Sequence, residues 1–242
     1  MRRVVLFAFV VAVSAHAQAP EPPAGKTWAG DFSFGLSLTR GNSDTANINL
    51  TADAAQRLNP VNLMRYDAFY LRSDTSGTLT ADRLLFGARD EYTISPLTYA
   101  LADAHFLRDR FKEIDYLVNP TVGAGHHFIK TDVQDFAVEG GLGIVLEKDK
   151  DLPRDTSGSV NAKQLFTWKF SPTATFGQTA TALWKMDDFS DALYHLEASL
   201  ASTLTARTQL KLSALDDYKT KPPRAGIKKN DFSLIASVGM KF

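Results

Sequence analysis

The sequence predicts an all-β fold, an antiparallel up-and-down transmembrane barrel of about twelve strands. Three observations predict it. A period-two alternation of apolar and polar residues runs from Trp28 almost to Phe242. The connections alternate between polar stretches and tight turns, and aromatic residues gather near the strand ends.

Composition sets the outer limits. The 242 residues are 44% hydrophobic and 22% charged, and 27 basic residues balance 27 acidic ones. That balance excludes a basic surface for nucleic acid, and the aromatic content excludes wholesale disorder. With no Cys, disulfides, thiolate metal sites and a Cys nucleophile are also excluded. Beyond the first residues no stretch approaches the ~18 consecutive apolar residues of a membrane helix. A chain that crosses a membrane must then do so with strands.

The N-terminus has the layout of an export signal. Arg2 and Arg3 precede the apolar run Val4 to Val13, and Ala15, His16 and Ala17 present small residues at the positions a signal peptidase recognises. Residues 1–17 are expected to be a signal peptide cleaved before Gln18, with 18–27 a flexible Pro-rich periplasmic leader and 28–242 the barrel. Without Arg2 and Arg3 the mature chain keeps 25 basic residues against 27 acidic.

In the first strand Trp28, Gly30, Phe32, Phe34, Leu36 and Leu38 share one face, while Asp31, Ser33, Ser37 and Thr39 share the other. Gly41 to Asp44 forms a turn. The second strand sets Ala46, Ile48, Leu50, Ala52 and Ala54 against Asn47, Asn49, Thr51 and Asp53, and Leu58-Asn59-Pro60 ends it. Later strands are clearest at Asp135 to Glu147, Val160 to Phe170, Thr173 to Met186, Ala192 to Leu204 and Asp231 to Phe242. Ala100 to Asp109 is the weakest, because Tyr99, Leu101 and Leu107 share a parity with Asp103 and His105. Long polar loops are expected at Ser73 to Thr80, Lys148 to Ser159 and Lys219 to Asn230. Tight turns are expected at Ser95-Pro96, Lys130 to Asp132 and Ser171-Pro172, on the side of both termini.

Which face meets which solvent follows from size and from the aromatics. Twelve strands enclose a lumen too wide to fill with Ala, Leu and Val, so the apolar face is expected outside. Trp28, Tyr92, Phe128, Phe136, Trp168, Phe170, Phe176 and Phe242 lie towards the short turns. Tyr70, Tyr116, Trp184, Tyr194, Tyr218 and Phe232 lie towards the long loops, and the two sets make a pair of interfacial girdles. The alternating last strand, ending on Phe242, has the form that outer-membrane assembly machinery recognises. The expected location is therefore the bacterial outer membrane, as a monomer.

Trp28-Ala29-Gly30, the turn Gly41 to Thr45, Tyr218 with Pro222-Pro223, then Lys229-Asn230-Asp231 and the terminal Phe242 carry a family resemblance. The sequence resembles the bacterial family of unknown function, domain of unknown function 481, often labelled salt-induced outer membrane protein. The resemblance covers nearly the whole mature chain. It implies an outer-membrane barrel linked to salt or osmotic stress, and it supplies no catalytic or ligand residues.

No catalytic motif stands out. Gly123-Ala124-Gly125 and Gly141-Leu142-Gly143 lack the third glycine of a dinucleotide loop and lie within strands, where they form an inward strip for long side chains to rest on. His195, Glu197 and Ser199 face inward on one strand and offer a weak case for a hydrolase. His126 and His127 point to opposite faces. Two loop clusters, Asp149, Asp151 and Asp155, then Asp187, Asp188 and Asp191, lack the glycine and bidentate Glu of a Ca²⁺ loop and are expected to be solvated turns. Neither a cofactor nor a metal site is expected.

The inward face carries the functional information. By parity it holds Asp31, Asp53, Asp67, Glu91, Glu139, Glu147, Glu197 and Asp217 against Arg65, Arg83, Arg89, Lys163, Lys169, Lys185, Lys211 and Lys241. Charges of both signs in one narrow wall should pair. Pairing either plugs the barrel or leaves a weakly selective polar path. Three functions follow: passage of small polar solutes or ions, a closed structural or stress-response barrel with binding loops, and an outer-membrane hydrolase. In the last long loop Lys219, Lys221, Arg224, Lys228 and Lys229 are candidates to hold lipopolysaccharide phosphates.

Overall fold

The computed structural model describes residues 21–23, 25–39, 45–110, 113–222 and 229–242. The signal peptide 1–17, the start of the leader and the turn Gly41 to Asp44 lie outside the described residues. The alternating segments form β1 (Trp28–Thr39), β2 (Thr45–Arg57), β3 (Asn62–Thr75), β4 (Thr78–Ser95), β5 (Thr98–Asp109) and β6 (Ile114–Lys130). They continue as β7 (Gln134–Asp149), β8 (Asp155–Lys169), β9 (Ala174–Lys185), β10 (Ala192–Thr203), β11 (Thr208–Lys219) and β12 (Asn230–Lys241). Each strand pairs antiparallel with its neighbours in sequence, and β1 pairs with β12, so the sheet closes into a twelve-strand barrel. No helix occurs among the described residues.

Closure is uneven. β1 and β2 pair along their whole length, from Trp28 opposite Gln56 to Thr39 opposite Thr45. Among the described residues the β1–β12 seam pairs only Asp31 to Phe34 with Lys241 to Val238. Below this, Gly30 and Phe242 exchange backbone hydrogen bonds of 3.3 and 3.0 Å. A Cβ on Gly30 would lie 2.5 Å from both the Asp53 carbonyl oxygen and the Phe242 ring, so a larger residue here would press on the β2 backbone and displace the ring.

The faces divide as the alternation requires. Phe32, Phe34, Leu142, Leu196, Leu212 and Leu234 point outward and exposed. Two aromatic girdles border this face. On the short-turn side Phe128, Phe136, Phe166 and Phe176 follow one another with ring centroids 6.0 to 6.5 Å apart. On the other side Trp184, Tyr194 and Tyr218 do the same at 6.0 and 6.3 Å, and the Trp184 indole donates to the Tyr194 hydroxyl at 3.0 Å.

Two expectations about the connections are corrected. Ser73 to Thr80 is a hairpin rather than a long loop: Ser76 (φ 51°) and Gly77 (φ 77°) take the left-handed pair of angles of a tight two-residue turn, and Thr75 pairs with Thr78. Lys148 to Ser159 is mostly strand, with only residues 150–154 between β7 and β8. The strands on this side project further than the sequence alternation alone marks. Leu142 lies mid-strand on the lipid face, and Asn161 faces inward at a similar height. Leu142→Arg should cost about 2–4 kcal/mol, and Asn161→Arg clearly less. Denaturant titrations of protein refolded into bilayers measure both, and equal losses would contradict the assigned faces.

Candidate functional site

Strand parity delivers the charged side chains to the lumen, and there they sort into clusters. Arg89 on β4 holds the Glu139 carboxylate of β7 with two hydrogen bonds, 2.8 and 2.5 Å long, a bidentate pair that fits the planar guanidinium. The Tyr99 hydroxyl on β5 donates to the same carboxylate at 2.6 Å, and the Arg89 guanidinium lies 5.8 Å from the Tyr99 ring. Tyr99 occupies the space beside Gly125, as the glycine strip anticipates. Glu91 bridges Arg89 at 2.8 Å to Arg65 at 3.0 Å. At the short-turn rim Glu21 of the leader reaches Arg57 at 2.6 Å and Arg65 at 3.9 Å.

A second cluster crosses the lumen. Arg83 on β4 lies 3.8 Å from Asp109 and 3.4 Å from Asp217 on β11, five positions away in the ring of twelve. The ring of His195 contacts Asp217 through Nδ1 at 2.8 Å. Towards the long-loop end Glu147 takes Lys185 at 2.8 Å and Lys219 at 2.5 Å, while Lys185 also pairs with Asp155 and Asp191 at 2.9 and 3.0 Å. Lys211 meets Glu197 at 3.5 Å. Asp31, Asp53 and Asp67 lie directly opposite one another across β1, β2 and β3, a row of like charges on one wall. Gln209 donates to Asp31 at 3.5 Å, and His105 lies 3.7 Å from Asp67.

Several placements depart from the sequence expectations. Lys219 is not a surface lysine: its position has inward parity, and its ammonium is buried against Glu147. Lys221 is tied to Asp188, Lys229 is exposed, and Arg224 and Lys228 lie outside the described residues. Lys169 ends β8 at the short-turn rim, exposed rather than lining the wall. His195 and Ser199 are four residues apart on one strand, about 13 Å at ~3.3 Å per residue, and Glu197 is turned to Lys211. The three side chains do not converge on one reacting atom.

The sequence reading missed an apolar belt on the inner wall. Phe69, Leu71 and Ala81 form one buried cluster, joined by Ile235 from β12. Leu107, Ile114, Leu117 and Val145 form another, joined by Leu183 from β9, and Leu85 touches both. The mixed parity of Tyr99, Leu101 and Leu107 was its one sequence signal. Between the belt and the ion pairs lies a cavity of about 270 Å³, bordered by Arg83, Arg89, Lys163 and His195 among others.

These features define a class: a closed, lipid-facing barrel with a charged interior, the porin-like fold of outer-membrane proteins. The sequence profile of a protein family of unknown function, DUF481, matches residues 32–242, and the chain belongs to that family. It is 23% identical over 224 residues to the uncharacterized protein YdiY of Escherichia coli K12, covering 89% of this chain and 84% of YdiY. Among solved structures, an outer membrane channel from Pseudomonas putida F1 superposes with a TM-score of 0.56 at 14% identity, over 96% of this chain and all of the other. The translocator domain of the Neisseria meningitidis autotransporter NalP gives 0.50 at 14% identity, over 89% and 86%. The NanC porin gives 0.50 at 9%, over 88% and 97%. At such identities the likeness shows the fold.

Two predictions follow from these ion pairs. Arg89→Met would strand the buried Glu139 carboxylate and should cost about 3–5 kcal/mol, with part recovered in Arg89→Met/Glu139→Gln. Urea unfolding in bilayers measures this, and a loss below about 1 kcal/mol would contradict it. In the loop between β9 and β10, hydrogen bonds from Lys221 and then Ser190 hold the Asp188 carboxyl down, at about 2. A lowered carboxyl stabilises the loop contact above its ordinary range near 4 and loses that contribution as pH falls towards 2. NMR titration of the Asp188 carboxyl should show the low midpoint, and Lys221→Met should raise it.

Proposed function

We propose that the protein is an exported outer-membrane barrel that gives small polar solutes or ions a narrow, passive and weakly selective path. The observation that carries this reading is a lumen wall of paired charges of both signs around a cavity, where no single sign dominates a ring. The porin-like fold and the channel and porin among its structural neighbours support it. Residues 1–17 serve as the export signal, Phe242 as the assembly signal, and the barrel works as a monomer. The tie to salt or osmotic stress belongs to this reading through the family resemblance. Contact with lipopolysaccharide phosphates falls to Lys229 with Arg224 and Lys228, because Lys219 and Lys221 are engaged elsewhere.

A specific observation favours a second reading, a closed barrel. The Arg83–Asp217 contact spans the lumen, and Ile235 packs from β12 onto the β3–β4 cluster. Planar-bilayer recordings separate the two. Under the first reading the wild type conducts, and Arg83→Ala raises the single-channel conductance by removing a side chain from the narrow section. Its reversal potential in a salt gradient should show weak selectivity, shifted towards cations by Lys163→Glu. Absence of current from folded wild type, with current appearing in Arg83→Ala, would support the closed barrel instead.

A further inference from the structure

The register places five polar side chains in a single row across the inner wall. Glu139 on β7 lies opposite Lys163 on β8, Lys163 opposite Thr181 on β9, Thr181 opposite His195 on β10, and His195 opposite Asp217 on β11. Direct cross-strand neighbours have Cβ atoms about 5 Å apart, so the middle three fall within the reach of one small functional group. The two ends of the row are saturated. Both Glu139 oxygens are taken by Arg89, one of them also by Tyr99, and Asp217 is held by Arg83 and His195.

The middle is not. The Lys163 ammonium faces Glu139 but forms no hydrogen bond or close ion pair among the described residues, because Arg89 and Tyr99 already occupy that carboxylate. His195 uses Nδ1 on Asp217, and its Nε2, buried within a side chain only 10% exposed, has no hydrogen-bond partner there. Lys163, Thr181 and His195 all border the 270 Å³ cavity. The rest of its border includes Leu85, Leu101, Leu107, Leu117, Leu183 and Leu193. A half-buried cation and a buried, unpaired ring nitrogen beside a leucine-rich surface are costly unless a complementary group meets them.

We propose that this cavity binds a small monocarboxylic acid with an aromatic or branched aliphatic body, its carboxyl group on Lys163, Thr181 and His195 and its body against the leucines. The carboxyl is the group that satisfies all three. Its oxygens accept from the ammonium, from the hydroxyl and, when the ring carries a proton on both nitrogens, from Nε2–H. The size is near the lower end of the ~300–1,000 Å³ of small-molecule sites, which excludes long chains and oligosaccharides. Asp53 and Asp67 of the aspartate row border the same cavity from the opposite wall, so a bound anion is oriented with its charge on the Lys163 side.

The inference names a ligand class for the lumen proposed above as a path, and its test does not depend on conduction. Titration calorimetry on the full barrel in a nonionic detergent compares benzoate with acetate, which lacks the body, and benzyl alcohol, which lacks the charge. Benzoate should bind saturably and about tenfold or more tighter than either. Lys163→Met should weaken it about tenfold, near-isosteric Thr181→Val should weaken it less, and Lys169→Met at the rim should leave it unchanged. Because Thr181→Val conserves volume, it tests the site even if Lys163→Met fails to fold. Benzoate binding no tighter than acetate, or equal affinity in wild type and both site variants, would overturn the proposal. Absence of bilayer current alongside saturable binding would overturn the path and leave the site standing.

Discussion

A strand in lipid can satisfy its N–H and C=O groups only through its neighbours, and each orphaned group costs several kcal/mol, so a membrane sheet must close on itself. Everything else in this protein depends on that closure. It makes every strand two-sided, with side chains alternating between hydrocarbon and lumen, and it fixes which residues share a height across the barrel. Lys163, Thr181 and His195 come from three strands spread over more than thirty positions of the chain, yet the ladder sets them side by side. The girdles have the same origin: the ring sequence Phe128, Phe136, Phe166, Phe176 is a register effect, since the four residues come one each from β6, β7, β8 and β9.

The lumen is governed by a second constraint, the cost of leaving an ion unpaired away from water. Arg89 answers it with a bidentate carboxylate partner, and Arg83 with carboxylates from β5 and from the far wall. Burying such pairs is close to neutral in stability compared with apolar packing, whereas breaking one is expensive. The network therefore acts mainly on conformation: it fixes where each long side chain lies, and the cavity is what remains between those fixed positions. The leucines on the same wall complete the enclosure.

The fold was legible because period-two alternation survives in nearly every strand, and parity alone put Arg83, Arg89, Glu139 and Asp217 on one face while misjudging Lys169, which ends at the rim. Parity, however, says which wall a residue faces and nothing about how far along the axis or across the lumen it reaches. It therefore could not show that Arg83 meets Asp217, or that Glu147 captures Lys219, which by composition belonged to a basic loop. It also treated apolar residues as outward. β5 resisted that rule because Leu101 and Leu107 face inward with Asp103 and His105, and this conflict was the trace of the inner belt. Ser76-Gly77 carried a turn signal, but its polar neighbours made the hairpin resemble a loop.

The β1–β12 seam has its own consequence. Elsewhere the ladders run nearly the length of the strands, while here, among the described residues, the paired stretch ends at Phe34 and Val238, held from below by the Gly30–Phe242 exchange. Local opening takes the route that breaks the fewest backbone bonds, so the barrel is mechanically a zipper with its slider parked at the terminal phenylalanine. In assembly the same seam is where β1 and β12 must find each other, and the Gly30–Phe242 exchange is the clasp that holds them.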